Sequence, residues 1–146
     1  MKILIVDDEM LVRAGLKSII DWEKHGYTII GEADSGEKAL KMVKELKPDI
    51  MLLDINMPGV NGIDVLKELK KNQETCKVII ISCHDEFEYV KEAMKLGALE
   101  YILKHRIIPE NIIYVLDNVK KLIEDDKKNK ENAINPVKKH KEEFIY

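Results

Sequence analysis

Four stretches of the chain run apolar residues into a side chain suited to metal or phosphate chemistry. In D-I-M-L-L-D-I-N-M-P, Asp49 to Pro58, the residues Ile50 to Leu53 lead straight into the carboxylate of Asp54, and Asn56, Pro58 and Gly59 follow as loop residues. Lys2 to Val6 runs into Asp7, Asp8 and Glu9, Lys77 to Ser82 ends in a hydroxyl, and Leu99 to Leu103 ends at Lys104. Three carboxylates in one pocket oppose each other, because two like charges ~5 Å apart at an effective dielectric of ~20 repel by roughly 3 kcal/mol. A divalent cation relieves that repulsion. Magnesium suits an all-oxygen, partly hydrated site that also holds a phosphoryl group, and Lys104 is the cation for another phosphoryl oxygen. Asp54 is then a candidate nucleophile, its attack on phosphorus giving an acyl phosphate that metal and Lys104 stabilise and that Ser82 hydrogen-bonds. An isolated Asp at a strand end is ordinarily a turn or helix cap. The chemical reading rests on several strands ending in groups suited to one reaction.

For these groups to meet, the strands that carry them must be parallel. An apolar run without alternation fits a strand covered on both faces, and ligands of such sheets sit beyond the carboxyl ends of the strands. Between the strands, apolar residues recur at helical spacing: Val12, Leu16, Ile19 and Ile20 predict a helix to about Trp22, and Ala39, Leu40, Val43 and Leu46 a second. Tyr27 to Ala33 reads as a strand, and Asp34 or Ser35 caps the second helix, with Glu37 spaced from Asp34 as in a capping box. Ile63, Leu66 and Leu69 mark the third helix, and Phe87, Val90, Ala93 and Met94 the fourth, closed by Gly97. Pro109 opens the last, whose stripe runs from Ile112 to Ile123. Five strand and helix pairs joined by short connections imply right-handed crossovers and an α/β doubly wound parallel sheet, flavodoxin-like, in strand order 2-1-3-4-5. That order gathers Asp7, Asp8, Asp54, Ser82 and Lys104 at one edge of the sheet.

With 146 residues, 45% of them hydrophobic and 35% charged, the chain supports one core and no second domain. No apolar stretch is long enough to span a bilayer and none reads as a leader, since the run after Lys2 is cut at Asp7, so a cytoplasmic protein without membrane partners is expected. Cys76 and Cys83 lack metal or redox spacing and read as reduced thiols. The net charge of -3 argues against a nucleic-acid-binding surface on this chain.

Several of these segments together resemble the receiver domains of two-component response regulators. The likeness covers Lys2 to about Asp125 and rests on I-L-I-V-D-D-E at Ile3 to Glu9 and L-L-D-I-N-M-P-G at Leu52 to Gly59, with N-G at Asn61 and Gly62. I-I-I-S at Ile79 to Ser82 and Y-I-L-K at Tyr101 to Lys104 complete it. The resemblance implies a CheY-like (βα)5 fold and a sensor histidine kinase as phosphoryl donor. By it, Asp54 is the phospho-acceptor, and Asp8, Asp54 and the Asn56 backbone carbonyl bind Mg2+, with Asp7 as a water-mediated partner of the metal. It also makes Ser82 and Tyr101 a switch pair that remodels the face formed by the fourth helix, fifth strand and fifth helix, a local charge biasing a bistable surface. The same face is the expected homodimer contact. R-A-G-L-K-S-I-I-D-W at Arg13 to Trp22 and H-D-E-F-E-Y-V-K-E-A at His84 to Ala93 look like receivers attached to AraC-type DNA-binding domains, so DNA would be reached only through an output domain that this chain lacks.

One position departs from that pattern. The family usually follows this lysine with a proline after a cis bond, whereas His105 stands here. A cis bond before a non-proline residue costs ~3 kcal/mol, so a trans bond and a reshaped loop are expected, with His105 exposed. Beyond Asp125 the composition turns polar and reads as a linker from 126 to 146, including N-P at Asn135 and Pro136 and ending in Phe144, Ile145 and Tyr146. Three other readings stay open. A free-standing receiver would act through protein contacts, and a degenerate receiver would fold without accepting phosphate. A dehalogenase-like phosphatase would want an acid where Asn56 stands.

Overall fold

The computed structural model describes residues 1–83 and 85–134, the last five of these by backbone alone. Its strands are β1 (Lys2–Val6), β2 (Thr28–Ala33), β3 (Ile50–Asp54), β4 (Lys77–Ser82) and β5 (Glu100–Leu103). They alternate with helices α1 (Met10–Ser18), α2 (Gly36–Leu46), α3 (Gly62–Lys71), α4 (Phe87–Lys95) and α5 (Pro109–Ile134). All strand pairs are parallel, and the sheet order is β2-β1-β3-β4-β5, as expected. The expectations concerning His84, Asn135, Pro136 and Phe144 to Tyr146 lie outside the described residues.

Burial on both faces explains the unbroken apolar runs. Successive strand side chains point to opposite sides. Ile3, Ile5, Leu52 and Ile81 pack with Leu16 of α1 and with Ile112, Leu116 and Val119 of α5. Leu4, Val6, Leu53 and Ile80 pack with Val43 of α2, Ile63 and Leu66 of α3, and Val90 of α4. Each such side chain contributes roughly 1.5–3 kcal/mol by burial.

Several boundaries differ from the sequence reading, each for a local reason. α1 stops at Ser18 instead of near Trp22, because the Trp22 indole N–H donates to the Leu16 carbonyl at 3.1 Å and the chain then turns through a short 3-10 segment, Glu23–His25. Ser35 caps α2 by accepting from the Lys38 N–H at 3.2 Å, while Asp34 pairs with the Lys38 ammonium at 2.9 Å, so the Asp34–Glu37 capping box does not form. A capping box forms instead on α3, between Asn61 and Asp64. Phe87 and Met94 are 68% and 38% exposed, whereas Val90 and Ala93 carry the contact of α4 with the core. α4 packs beside α3 over β4, and among the described residues its Phe87, Tyr89 and Met94 side chains are left exposed. α5 continues to Ile134, so the part of the polar stretch from 126 to 134 is helical. Lys127 and Lys128 are good helix formers, and Glu124 and Lys128 stand four apart with opposite charge.

Candidate functional site

The parallel pairing of Val6 with Leu53 sets the ends of β1 and β3 side by side, and the next residues are Asp7 and Asp54. Both aspartates are 1% exposed. Asp7 donates its N–H to the Ala33 carbonyl at 3.1 Å, and its Oδ1 accepts the Glu9 N–H at 2.8 Å. Asp54 Oδ1 accepts the Asn56 N–H at 3.3 Å. Each carboxylate thus bonds the amide two residues on, a turn that holds the side chain at the strand end. Gly62 makes room behind this turn: a Cβ there would lie 2.7 Å from Ile55 Cα and 2.8 Å from the Asp54 carbonyl oxygen.

Lys104 arrives from the far side of β4. It opens a 3-10 turn, Lys104–Arg106, after β5. Its Nζ lies 3.4 Å from Asp7 Oδ2, 3.4 Å from Asp54 Oδ1 and 3.6 Å from Glu9 Oε1. The Lys104–His105 bond is trans, and His105 is exposed. The loop without proline therefore still delivers the ammonium to the carboxylates. Ser82 ends β4 between Asp54 and Lys104, fully buried, with an Oγ that has no hydrogen-bond partner among the described residues. Asp8 is exposed, and Asp7, Asp8 and Glu9 each offer a carboxylate oxygen within 4.8 Å of the others. Asn56 is exposed in the loop after β3. Tyr101 stands apart from this cluster, 48% exposed on β5, where it lines a groove with Phe87 and Met94 of α4.

Burial and crowding set the charges. Desolvation raises the Asp54 carboxyl to about 7, with the Asp7 charge adding to the rise and Lys104 opposing it. Desolvation also raises Asp7, against the Glu9 N–H and Lys104. Burial works against the charge on Lys104, but Asp54 and Asp7 outweigh it and raise its pKa. One ammonium thus faces several carboxylates, and Asp54 Oδ2 is buried without a hydrogen-bond partner among the described residues. An all-oxygen donor set with excess negative charge suits a hard divalent cation such as Mg2+, which Asp8 and Asp54 would hold, with Asp7 nearby.

Three residues at this edge were not singled out by their sequence pattern. Glu9 reaches Lys104, and the run of three acids was its only signal. Arg13 reaches the Asp7 carbonyl from α1, although its sequence position marks it only as a polar residue between apolar ones. Buried Glu86 accepts the Cys83 N–H at 2.6 Å in the loop after β4.

Residues 3–117 match the family model of the response regulator receiver domain. The chain is 42% identical over 120 residues to the chemotaxis protein CheY of Thermotoga maritima, covering 82% of this chain and 98% of that protein. It is 35% identical over 127 residues to the transcriptional regulatory protein YesN of Bacillus subtilis, covering 87% of this chain and 33% of that protein. Among solved structures, the REC domain of AraT, a response regulator from Geobacillus stearothermophilus, superposes with a TM-score of 0.79 at 32% identity, over 86% of this chain and 97% of that one. The chain spans two fifths or less of the length of the first curated relatives it matches. Among the described residues, no helix is long and apolar enough to cross a membrane.

Proposed function

The chain belongs to the response regulator receiver domain family, and on that premise we propose that it takes a phosphoryl group from a sensor histidine kinase onto Asp54. The observation that carries this reading is the convergence of Lys104 on Asp7 and Asp54, at 3.4 Å from each, beside a buried carboxylate oxygen with no hydrogen-bond partner among the described residues. An oxygen of ionised Asp54 attacks the phosphorus, and the bond from phosphorus to the donor's imidazole nitrogen breaks with its electron pair left on that nitrogen. Lys104, already in ionic contact with Asp54, pairs with an equatorial oxygen of the transferred group. Mg2+, when bound by Asp8, Asp54 and the Asn56 carbonyl, supplies charge neutralisation for the same oxygens. Ser82 Oγ, buried between Asp54 and Lys104, is placed to hydrogen-bond the product.

The output reading rests on a second surface, beside the acidic cluster. A groove of about 620 Å³ opens between α4 and β5, with exposed Phe87, Met94 and Tyr101 on it. We assign to this face the remodelling by the Ser82–Tyr101 pair and the homodimer contact. In this reading the protein is a cytoplasmic signalling substrate with self-catalysed phosphorylation and dephosphorylation, not a metabolic enzyme. The likeness to YesN supports control of transcription through an attached DNA-binding domain. The near-complete coverage of CheY favours a second reading, a free-standing receiver, and the length of the native reading frame separates the two.

The test is to incubate the protein with acetyl phosphate and magnesium and weigh it intact, beside Asp54→Ala. A gain of one phosphoryl mass, absent in the variant and in EDTA, is expected. No gain in folded, magnesium-bound protein would leave the degenerate receiver as the better reading.

A further inference from the structure

The carbonyl of Asp7 lies just beyond the last residue of β1 and so outside the run of paired strand residues. Its partner comes from a helix: Arg13 Nη1 donates to it at 2.7 Å. The same guanidinium turns Nε toward Glu32 Oε1 at 3.1 Å, and Lys17 Nζ holds the other Glu32 oxygen at 2.6 Å. Glu32 is on β2, the neighbour of β1, so the arginine is fixed from a rigid strand. The Arg13 side chain is 15% exposed, which puts the contact largely under cover.

The peptide unit that begins with this carbonyl leads directly into Asp8. Fixing the carbonyl fixes the plane of the Asp7–Asp8 peptide, because that bond is rigid and planar. That places the N and Cα of Asp8, the base from which its carboxylate projects. We propose that Arg13, held by Glu32, is a positioning residue that orients the Asp7–Asp8 turn for binding a divalent cation. The inference rests on the reading of Asp7 and Asp8 as a magnesium site. A guanidinium suits the task because its planar fork bonds two acceptors at fixed angles, which a lysine ammonium does not reproduce. It also predicts a sign opposite to that of simple electrostatics. Removing a positive charge beside an acidic pocket should tighten cation binding, whereas loss of an orienting contact should weaken it, by about tenfold or more for partners of metal ligands.

The experiment titrates magnesium into metal-free wild type, Arg13→Gln, Arg13→Lys and Lys17→Gln by calorimetry, each checked for folding by circular dichroism. Lys17→Gln is the charge control, since Lys17 bonds Glu32 and not Asp7. The expected result is a Kd about tenfold weaker in both Arg13 variants and unchanged or tighter in Lys17→Gln. At saturating magnesium, the acetyl phosphate reaction of Arg13→Lys should recover to near the wild-type rate, because the contact acts on the turn and not on the reacting atoms. Magnesium bound by folded Arg13→Gln as tightly as by wild type overturns the proposal, as does equal weakening in Lys17→Gln. If Arg13→Gln does not fold, the same comparison is decided by Arg13→Lys. Wild type that binds no magnesium overturns the underlying reading of the acidic pocket and this inference with it. Failure confined to the variants' predicted order overturns only the role of Arg13.

Discussion

Lys104 and Asp54 meet at 3.4 Å although their strands are not neighbours: β4 lies between β3 and β5. The contact passes over the end of β4, where buried Ser82 stops the strand. This pair makes the edge of the sheet one electrostatic unit, and the predictions below follow from it and from the contacts around it.

Metal-free protein should lose stability as pH rises from about 4 to about 7. The Asp54 carboxyl is raised to about 7 in the folded chain against an ordinary 3.8. Between those values the folded state holds a proton that the unfolded state has released, so unfolding becomes more favourable with rising pH. Asp54→Asn removes that effect. In EDTA, urea denaturation should show the variant gaining about 1–3 kcal/mol over wild type at pH 8 and little at pH 4. An advantage that shrinks as pH rises would contradict the assignment.

Magnesium should offset the same strain. At a hundredfold excess over its Kd a ligand stabilises the folded state by about 2.7 kcal/mol. Calorimetric melting of wild type should therefore shift upward by several degrees with magnesium and return with EDTA. Asp8→Asn should lose most of the shift, and an undiminished shift in that variant would place the ion elsewhere.

Ser82→Ala should separate phosphorylation from switching. The acceptor is untouched, so mass gain from acetyl phosphate should persist. Tyr101, 48% exposed here, should become shielded in wild type when beryllofluoride and magnesium are added, and should stay exposed in the variant. Ring signals in NMR spectra, with Tyr101 assigned through Tyr101→Phe, give the measurement.

The proposed dimer face has its own readout. Sedimentation velocity should show association when beryllofluoride and magnesium are added, abolished by Tyr101→Asp. Monomer under both conditions would remove the α4, β5 and α5 face from the account of output.

Tyr27→Phe should destabilise without touching the chemistry. The ring is fully buried, and its hydroxyl donates to Asp117 Oδ1 of α5 at 2.6 Å. A hydrogen bond to a charged group contributes about 1.5–3 kcal/mol. Urea midpoints should fall accordingly while acetyl phosphate labelling of Asp54 stays at the wild-type extent.

The strand ends were legible in the sequence because an apolar run that stops at a polar or charged residue marks both the burial and its limit. Asp7, Asp54, Ser82 and Lys104 follow from that rule alone. The lysine reached its place even with His105 after it, since the position depends on where β5 ends more than on the loop beyond. Phe87, Val90, Ala93 and Met94 marked α4 correctly, but helical spacing does not report whether a neighbouring layer extends far enough to cover the face they share, and Phe87 and Met94 stay exposed. Arg13 and Glu32 were invisible for another reason. They come from different elements, 19 positions apart, and meet only once the register of β1 with β2 is set. The Asn61–Asp64 box was readable, but its acid is the shorter aspartate, which the usual signature omits.

The Tyr27–Asp117 bond divides α5 unequally. Asp117 lies eight positions after Pro109, and Ile134 seventeen positions after Asp117. At 1.5 Å per residue these arms are roughly 12 Å and 26 Å long. A rigid tilt of the helix pivoting at that bond, begun near Pro109 next to the turn that carries Lys104, would displace Ile134 about twice as far. A displacement too small to disturb the core at one end would be geared up at the other.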